Sequence, residues 1–256
     1  MRIVVKVGTS TLTHSTGCLN IRRVEELCKA ISDLKNAGHD IILVSSGAIG
    51  MGVGKLPLVG KPNDMPTKQA AAAVGQCELM YTYDKLFTEY NHVVAQILIT
   101  GDDIDHQDRK QNFENTLFKL LEFKALPIIN ENDTIATQEI GVGDNDTLAA
   151  IVTTCVKADL LVLLSDIDGL YTADPHTNPD ATLIGQIDEI TSEIEQLAGG
   201  KGSSLGTGGM ITKLNAAKIA TSSGIDMIIA NGANPNALYD IVEGRPVGTL
   251  FKGKKQ

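Results

Sequence analysis

The stretch Leu160-Leu161-Val162-Leu163-Leu164-Ser165-Asp166 decides the fold of this 256-residue chain. Its five apolar residues follow one another with no polar position between them, which is typical of a strand buried on both faces of a parallel sheet. Similar short runs alternate with helical patterns along the rest of the chain. The predicted strands are 3–7, 41–44, 93–99, 126–129, 160–164, 225–230 and 249–251. The predicted helices are one that Asn20 caps and Gly38 stops, followed by 67–87, 112–123, 148–156, 211–222 and 237–242.

This alternation predicts an α/β fold, a three-layer α/β/α sandwich around a mainly parallel central sheet. The chain has no internal repeat, no low-complexity tract and no linker long enough to separate two domains. We therefore predict a single domain, 1–256, whose two halves cover about 1–165 and about 166–256 and meet near Asp166.

The composition excludes several classes of protein. The 22 Lys+Arg against 31 Asp+Glu give a formal charge of −9, which argues against bulk nucleic-acid binding but leaves room for a small anionic ligand. No apolar run approaches the roughly 20 residues that cross a bilayer. The cysteines Cys18, Cys28, Cys77 and Cys155 form no C-x-x-C pair, so we expect reduced thiols rather than a zinc site or disulfides. A soluble, cytoplasmic protein that binds neither nucleic acid nor membrane is expected.

Polar and glycine residues follow nearly every predicted strand. Ligands of open α/β sheets bind beyond the carboxyl ends of the strands, so these segments are candidates for one site. Taken alone, each segment also has the composition of a solvated turn. What favours a ligand site is that all of them are predicted at one edge of the same sheet. The segments are Lys6-Val7-Gly8-Thr9-Ser10, Ser45-Ser46-Gly47-Ala48, Asn130-Glu131-Asn132-Asp133, Gly143-Asp144-Asn145-Asp146, Ser165-Asp166 and Gly206-Thr207-Gly208-Gly209-Met210-Ile211-Thr212-Lys213.

Two lysines in these segments could face an anion. Lys6 ends an otherwise apolar strand, and a lysine is costly to bury without a partner, although a strand-end lysine can also extend to solvent. Gly8 would let a phosphate approach the backbone closely. The glycine-rich loop 206–209 leads into the helix of Lys213, and either it binds phosphate through backbone N–H groups or it is a hinge before a surface lysine. The P-loop pattern G-x-x-x-x-G-K-[ST] does not occur, and no G-x-G-x-x-G follows the first strand, so a P-loop NTPase and a classical dinucleotide-binding fold are disfavoured.

Acidic residues also lie in these segments, and the histidines lie elsewhere in the chain. Asp133, Asp144 and Asp146 are either turn and cap residues or groups that bind an amino group and orient lysines. Asp144 is a good cap for the helix predicted at 148–156. The histidines have no metal-ligand or triad spacing, so no metal-binding residue is predicted.

Taken together and in order, these motifs resemble the amino acid kinase family. The carrying segments are 5–10, 44–49, 68–76, 129–133, 143–146, 164–171 and 206–213, so the resemblance covers essentially the whole chain. The pair Asn-Glu-Asn-Asp at 130–133 and Gly-Asp-Asn-Asp at 143–146 is similar to the members that act on L-glutamate.

The resemblance implies ATP-dependent phosphorylation of the side-chain carboxylate of L-glutamate to L-glutamyl 5-phosphate, the first step of proline biosynthesis. ATP is then a co-substrate, Mg²⁺ is bound through its phosphates, and the chain forms a homo-oligomer. The acceptor binds the half of about 1–165 and ATP the half of about 166–256. Many such members carry a further C-terminal PUA domain, the type also found in RNA-modifying enzymes. This chain is expected to be a form without it.

The resemblance also assigns roles to individual residues. The catalytic residues are Lys6, Lys213 and Asp146, and the substrate-binding residues are Ser46, Gly47, Asp133 and Asn145. The ATP-binding residues are Lys6, Gly8, Ser165, Asp166, Thr207, Gly208, Gly209, Met210, Ile211, Thr212 and Lys213. Ser165 stands where a threonine is common in the family, a change that keeps a hydroxyl.

Two alternatives remain at this stage. The chain could be another member of the same family, acting on acetylglutamate, aspartate, carbamate or UMP, because fold does not determine substrate. It could also be a non-catalytic sensor of a nucleotide or amino acid.

Overall fold

A computed structural model describes residues 1–14, 18–56, 58, 62–136, 144–175, 177–198 and 209–254. The strands within these ranges are β1 (Arg2–Val7), β2 (Asp40–Ser45), β3 (Val94–Ile99), β4 (Leu126–Glu131), β5 (Leu160–Ser165), β6 (Gln186–Ile187), β7 (Asp226–Asn231) and β8 (Thr249–Phe251). The helices are α1 (Thr9–Leu12), α2 (Ile21–Asn36), α3 (Ala48–Lys55), α4 (Met65–Thr88), α5 (Gly101–Asp105), α6 (Gln107–Glu122), α7 (Asn145–Cys155), α8 (Ser192–Ala198), α9 (Met210–Ser222) and α10 (Ala237–Val242).

The described strands form one sheet in the order β3-β4-β2-β1-β5-β7-β8-β6. Neighbouring strands run parallel except at the β7–β8 pair, which is antiparallel. Strands β1 and β5 lie side by side in the middle, and every residue of β5 is buried. The mainly parallel sheet predicted from the sequence is confirmed.

Helices cover both faces of this sheet, because successive side chains of a strand point to opposite sides. On one face Val4 packs in a core with Leu148 of α7 and Leu214 of α9. On the other face Val5 packs in a second core with Leu79 of α4, together with residues of α2 and α10. The two cores on either side of the sheet confirm the three-layer sandwich. Within the described ranges, no helix is long and apolar enough to cross a membrane.

Side-chain caps explain where two helices begin. Asn20 accepts a hydrogen bond from the backbone N–H of Arg23 at 3.2 Å, which confirms it as the cap of α2. Asp144 likewise accepts one from the N–H of Thr147 at 2.7 Å. Because Asp144 is the cap itself, α7 begins at Asn145, and the prediction of a helix from 148 was three residues too late. Helix α6 also begins earlier than predicted, at Gln107 rather than 112.

The short helix α3 was missed because its sequence, Ala-Ile-Gly-Met-Gly-Val-Gly-Lys, carries three glycines, which are poor helix formers. Two glycines let α3 and α4 pack unusually closely. A Cβ on Gly52 would overlap the Ala71 carbonyl group of α4, and a Cβ on Gly75 would overlap the Ala48 carbonyl group of α3. This close packing compensates for the low helix propensity. Elements α1, α5, α8 and β6 were also not predicted.

Candidate active site

The described parts of the predicted polar segments lie at the carboxyl edge of the sheet. In the parallel register Lys6 of β1 lies between Val44 of β2 and Leu163 of β5. The loops that follow β1, β2, β4 and β5 therefore leave the sheet on the same side, as expected for a ligand site in an α/β sheet.

Two lysines converge there on one carboxylate. The Lys6 ammonium lies 2.6 Å from Asp146 Oδ1, and the Lys213 ammonium lies 3.1 Å from Asp146 Oδ2. All three residues are buried, with exposed fractions of 9% for Lys6, 1% for Asp146 and 5% for Lys213. Lys6 therefore does not extend to solvent, and Lys213 is not a surface residue. The Thr212 hydroxyl also donates a hydrogen bond to Asp146 Oδ2, at 3.0 Å.

The charges of this cluster keep Asp146 ionised. Burial alone would raise the pKa of Asp146, but the nearby charges of Lys6 and Lys213 outweigh burial and hold the pKa below its usual value. With two ammonium groups around one carboxylate, the three side chains carry one net positive charge in a buried setting. Such a cluster is suited to an anion such as a phosphoryl group.

The first turns of two helices form the walls of the cluster. Asp146 lies in the first turn of α7, and Thr212 and Lys213 lie in the first turn of α9. The free N–H groups and the positive end of the helix dipole favour anions at such positions. The third nearby helix, α3, begins after Gly47, whose φ of 109° is left-handed and favours glycine.

A hydrogen-bonded chain of amide and hydroxyl groups begins at Asn145, the residue before Asp146. Asn145 Nδ2 donates to the Ser46 hydroxyl at 2.7 Å and to Asn130 Oδ1 at 3.1 Å. Asn130 Nδ2 in turn donates to Gln76 Oε1 at 3.0 Å. Because Asn145 and Asp146 are consecutive, this polar chain and the lysine cluster are joined by one peptide unit.

Asp133 lies in the turn after β4, on the same edge of the sheet but apart from the amide chain. Among the described residues, no hydrogen bond joins it to Ser46 or Asn145. Burial, and then the charge of Glu131, raise the pKa of Asp133 to about 6. Asp133 is therefore a carboxylate whose charge changes just below neutral pH.

The remaining predicted residues are placed as follows. Ser165, at the end of β5, donates a hydrogen bond to Asp166 Oδ1 at 3.0 Å. Gly8 has an ordinary backbone conformation, and a Cβ there would lie 3.5 Å from the Lys6 ammonium, in ordinary van der Waals contact. Gly209 is the N-cap of α9, before Met210 and the exposed Ile211. Thr207 and Gly208, with Gly143 and Gly206 of the quoted motifs, lie outside the described residues.

Sequence reasoning gave no individual role to Asn130 or Gln76. Both are buried, and both carried a signal in the sequence. Asn130 ends the apolar run of β4, and Gln76 falls on the face of α4 that buries Ala72 and Leu79. A polar side chain at such a position needs a hydrogen-bond partner, which the structure provides.

The described residues contain no group of three or more His, Cys, Asp or Glu side chains that could hold a metal ion. His176 lies outside them. All four cysteines are free, with Cys28 and Cys155 buried and Cys18 and Cys77 exposed.

Comparison of the sequence with known proteins gives a consistent result. The model of the amino acid kinase family matches residues 1–231. Glutamate 5-kinase of Clostridium perfringens (strain 13 / Type A) is 57% identical over 258 residues, covering 99% of this chain and 96% of that protein. Glutamate 5-kinase of Listeria innocua serovar 6a is 52% identical over 259 residues, covering 100% of this chain and 94% of that protein.

Solved structures with low sequence identity share the fold. The carbamate kinase from Giardia lamblia bound to AMP-PNP superposes with a TM-score of 0.69 at 18% identity and covers 98% of both chains. The product complex of T. acidophilum isopentenyl phosphate kinase superposes with a TM-score of 0.68 at 18% identity, covering 98% of this chain and 100% of that one. At such identities the likeness concerns the architecture alone.

Proposed function

The chain belongs to the amino acid kinase family, and from this membership we propose that it transfers the γ-phosphoryl group of ATP to the side-chain carboxylate of L-glutamate. The product is L-glutamyl 5-phosphate, and the reaction is the first step of proline biosynthesis. Relatives named glutamate 5-kinase, more than half identical over nearly the whole chain, support this acceptor.

The observation that carries the proposal is the position of Asp146. Its carboxylate holds the ammonium groups of Lys6 and Lys213, while the preceding residue, Asn145, contacts Ser46. A phosphoryl group at the two lysines and an acceptor at Ser46 and Asn145 would therefore be neighbours. Phosphoryl transfer needs this proximity more than it needs covalent chemistry from the protein.

The acceptor needs no general base. The side-chain carboxyl of glutamate has a pKa near 4.3, so it is already an anionic nucleophile at neutral pH. The difficulty is the approach of two anions, since unit charges 4 Å apart repel by about 4 kcal/mol at an effective dielectric near 20. The ammonium groups of Lys6 and Lys213 offset this repulsion, most strongly in the transition state. Asp146 is a positioning residue that keeps both lysines directed at the transferred group.

We assign ATP to the ends of β1 and β5 and to the segment that leads into α9. Gly8, Ser165, Asp166 and the segment 207–213 bind the nucleotide in this proposal, so that ATP lies mainly on the half of about 166–256 and glutamate on the half of about 1–165. Mg²⁺ is held by the phosphates of ATP, since the described carboxylates form no metal ligand set. When bound, it neutralises phosphate charge.

On the acceptor side, Ser46, Gly47, Asp133 and Asn145 bind glutamate. The Asp133 carboxylate offers a negative charge to the α-ammonium group. The Ser46 hydroxyl and the Gly47 backbone offer hydrogen bonds to a carboxylate. We further propose that the enzyme works in the cytoplasm as a homo-oligomer, without nucleic acid or membrane. Light scattering of the purified protein tests the oligomeric state.

One assay separates this function from its rivals. The purified protein is given Mg·ATP with glutamate, aspartate, N-acetylglutamate, carbamate or UMP, and ADP release is recorded beside hydroxylamine trapping of acyl phosphate. We expect a kcat/KM for glutamate at least about 100-fold above that for each other acceptor. Preference for another acceptor would replace glutamate by that acceptor, and tight ATP binding without any transfer would support the sensor.

A further inference from the structure

We propose that Gln76 is a positioning residue for the acceptor, because it fixes the side-chain amide of Asn130 and, through it, the direction in which Asn145 presents its oxygen. This inference rests on the proposed function, since it concerns how the same site holds glutamate. Gln76 lies on α4 and is 7% exposed, and it belongs to none of the segments at the strand ends.

The amide chain has a direction that a backbone group determines. The backbone N–H of Glu131 donates to Asn130 Oδ1 at 2.9 Å, and a backbone N–H can only donate. The oxygen of Asn130 must therefore face this N–H, and its nitrogen must face Gln76 Oε1, 3.0 Å away. Gln76 supplies the acceptor that a buried amide nitrogen in this orientation requires.

The orientation of the Asn145 side-chain amide depends on that of Asn130. Asn130 Oδ1 also accepts from Asn145 Nδ2, at 3.1 Å, so the nitrogen of Asn145 faces Asn130. The second hydrogen of the same nitrogen goes to the Ser46 hydroxyl oxygen, at 2.7 Å. Both N–H bonds of Asn145 are then used within the protein, and its amide cannot turn over without breaking both.

The oxygen of Asn145 is left as an acceptor for a ligand. Asn145 Oδ1 is buried and has no hydrogen-bond partner among the described residues. A buried acceptor without a partner costs free energy, which an N–H donor from a ligand would recover. The α-ammonium group of glutamate is such a donor. Ser46, which accepts from Asn145, keeps its own hydrogen for a carboxylate oxygen of the same ligand.

A purely structural role for Gln76 makes a different prediction. If Gln76 only filled space beside Asn130, a side chain of similar volume without an acceptor would leave glutamate binding unchanged. If it helps to fix the amide chain, the same substitution removes one of the two bonds that set the direction of the Asn130 amide and leaves only the bond from the Glu131 N–H. Asn130 can then turn more easily, and Asn145 can present nitrogen to the ammonium group. The loss is then specific to glutamate, because ATP lies on the other side of Asp146 in the proposed function.

The test begins with Gln76→Met, which keeps the volume and removes the acceptor. We expect KM for glutamate to rise at least about tenfold, with KM for ATP changed by less than about twofold. Gln76→Glu keeps an oxygen at the same position and should restore most of the glutamate affinity. Gln76→Leu removes the same acceptor and replaces the Met variant if that variant does not fold. Tyr83→Phe is the control, because it removes another buried hydrogen bond of α4, to Ser45.

A double-mutant cycle then asks whether Gln76 acts through Asn145. Glutamate binding is measured by calorimetry for the wild type, Gln76→Met, Asn145→Ala and the double variant. We expect Gln76→Met to have little further effect once Asn145 is alanine, which a general packing defect would not produce. An active wild type whose glutamate affinity survives Gln76→Met, or additive effects in the cycle, would overturn the inference. A wild type that does not phosphorylate glutamate would instead overturn the proposed function.

Discussion

The Lys6 ammonium on strand β1 lies 2.6 Å from Asp146 Oδ1 in the first turn of helix α7. The other carboxylate oxygen of Asp146 faces Lys213, at the start of α9. One buried carboxylate thus ties together the central strand and the first turns of two helices. The arrangement predicts separate effects for the lysines and for the carboxylate between them.

Removing either lysine should affect catalysis far more than folding. In Lys6→Met or Lys213→Met, Asp146 keeps one ammonium partner, so the buried charge remains compensated. We expect kcat to fall by at least about 100-fold, because each ammonium stabilises charge on the transferred group. Steady-state kinetics and thermal unfolding measure the two effects. Lys254→Met, which removes an exposed partner of Glu189, is the matched control and should keep near-normal turnover.

Removing the Asp146 carboxylate should affect both catalysis and folding. Asp146→Asn leaves two buried ammonium groups without the charge between them, and breaking a buried ion pair costs about 3–5 kcal/mol. We expect the free energy of unfolding in urea to fall by an amount of this order at pH 7. An unchanged stability would show that Asp146 is not needed to hold the lysines.

The pH dependence of that loss has a definite sign. The pKa of Asp146 is lowered in the folded state, so its contribution to stability is complete above the pKa of about 3.9 in the unfolded chain. The contribution disappears as pH falls through the lower pKa of the folded state. The difference in stability between the wild type and Asp146→Asn should therefore shrink below about pH 4 and stay constant from about pH 5 to 7.

Asp133 should give glutamate use a pH dependence of its own. Its pKa is raised to about 6, so below this pH the side chain is neutral and no longer attracts an ammonium group. We expect kcat/KM for glutamate to fall as pH drops through about 6, above the range in which glutamate itself titrates, near 4.3. Asp133→Asn should have a lower plateau without that step. A step that persists in Asp133→Asn would assign the titration to another group.

The close packing of α3 on α4 depends on the missing side chain of Gly75. In Gly75→Ala the new methyl group would overlap the Ala48 carbonyl group, so α3 must move, and overpacking of this kind costs about 1–3 kcal/mol. Because Ser46 and Gly47 immediately precede α3, KM for glutamate should rise as well. Gly185→Ala is the control, since a Cβ there meets open space. Equal stability and equal KM in the two variants would contradict this account.

Much of the architecture could be predicted from the sequence, because local patterns indicate where its strands and helices lie. The apolar run of β5 indicated a buried parallel strand, and Asn20 marked the start of α2. Helix α3 could not be predicted, since its glycines are poor helix formers and only contact with α4 explains them.

The residues of the candidate site were predicted, and so was the contact of Asp146 with lysines, but the remaining contacts were not. Polar groups at strand ends indicated the edge of the sheet, but the meeting of Lys6 and Lys213 at Asp146 depends on how distant segments pack. The roles of Asn130 and Gln76 depend on hydrogen bonds between β4 and α4, which no local pattern specifies. The roles given to individual residues stay predictions, and those of Thr207 and Gly208 concern residues outside the described ranges.

The most direct measurement is a crystal structure of the protein with glutamate, Mg·ADP and a metal-fluoride mimic of the transferred phosphoryl group. We expect both ammonium groups, from Lys6 and Lys213, to lie within about 3.2 Å of the mimic's fluorine atoms or of oxygens bridging to it. Asp146 should remain in contact with both lysines, and the glutamate side-chain carboxylate should lie in line with the mimic. A complex in which either ammonium group points away from the mimic would show that the two lysines do not act together on the transferred group.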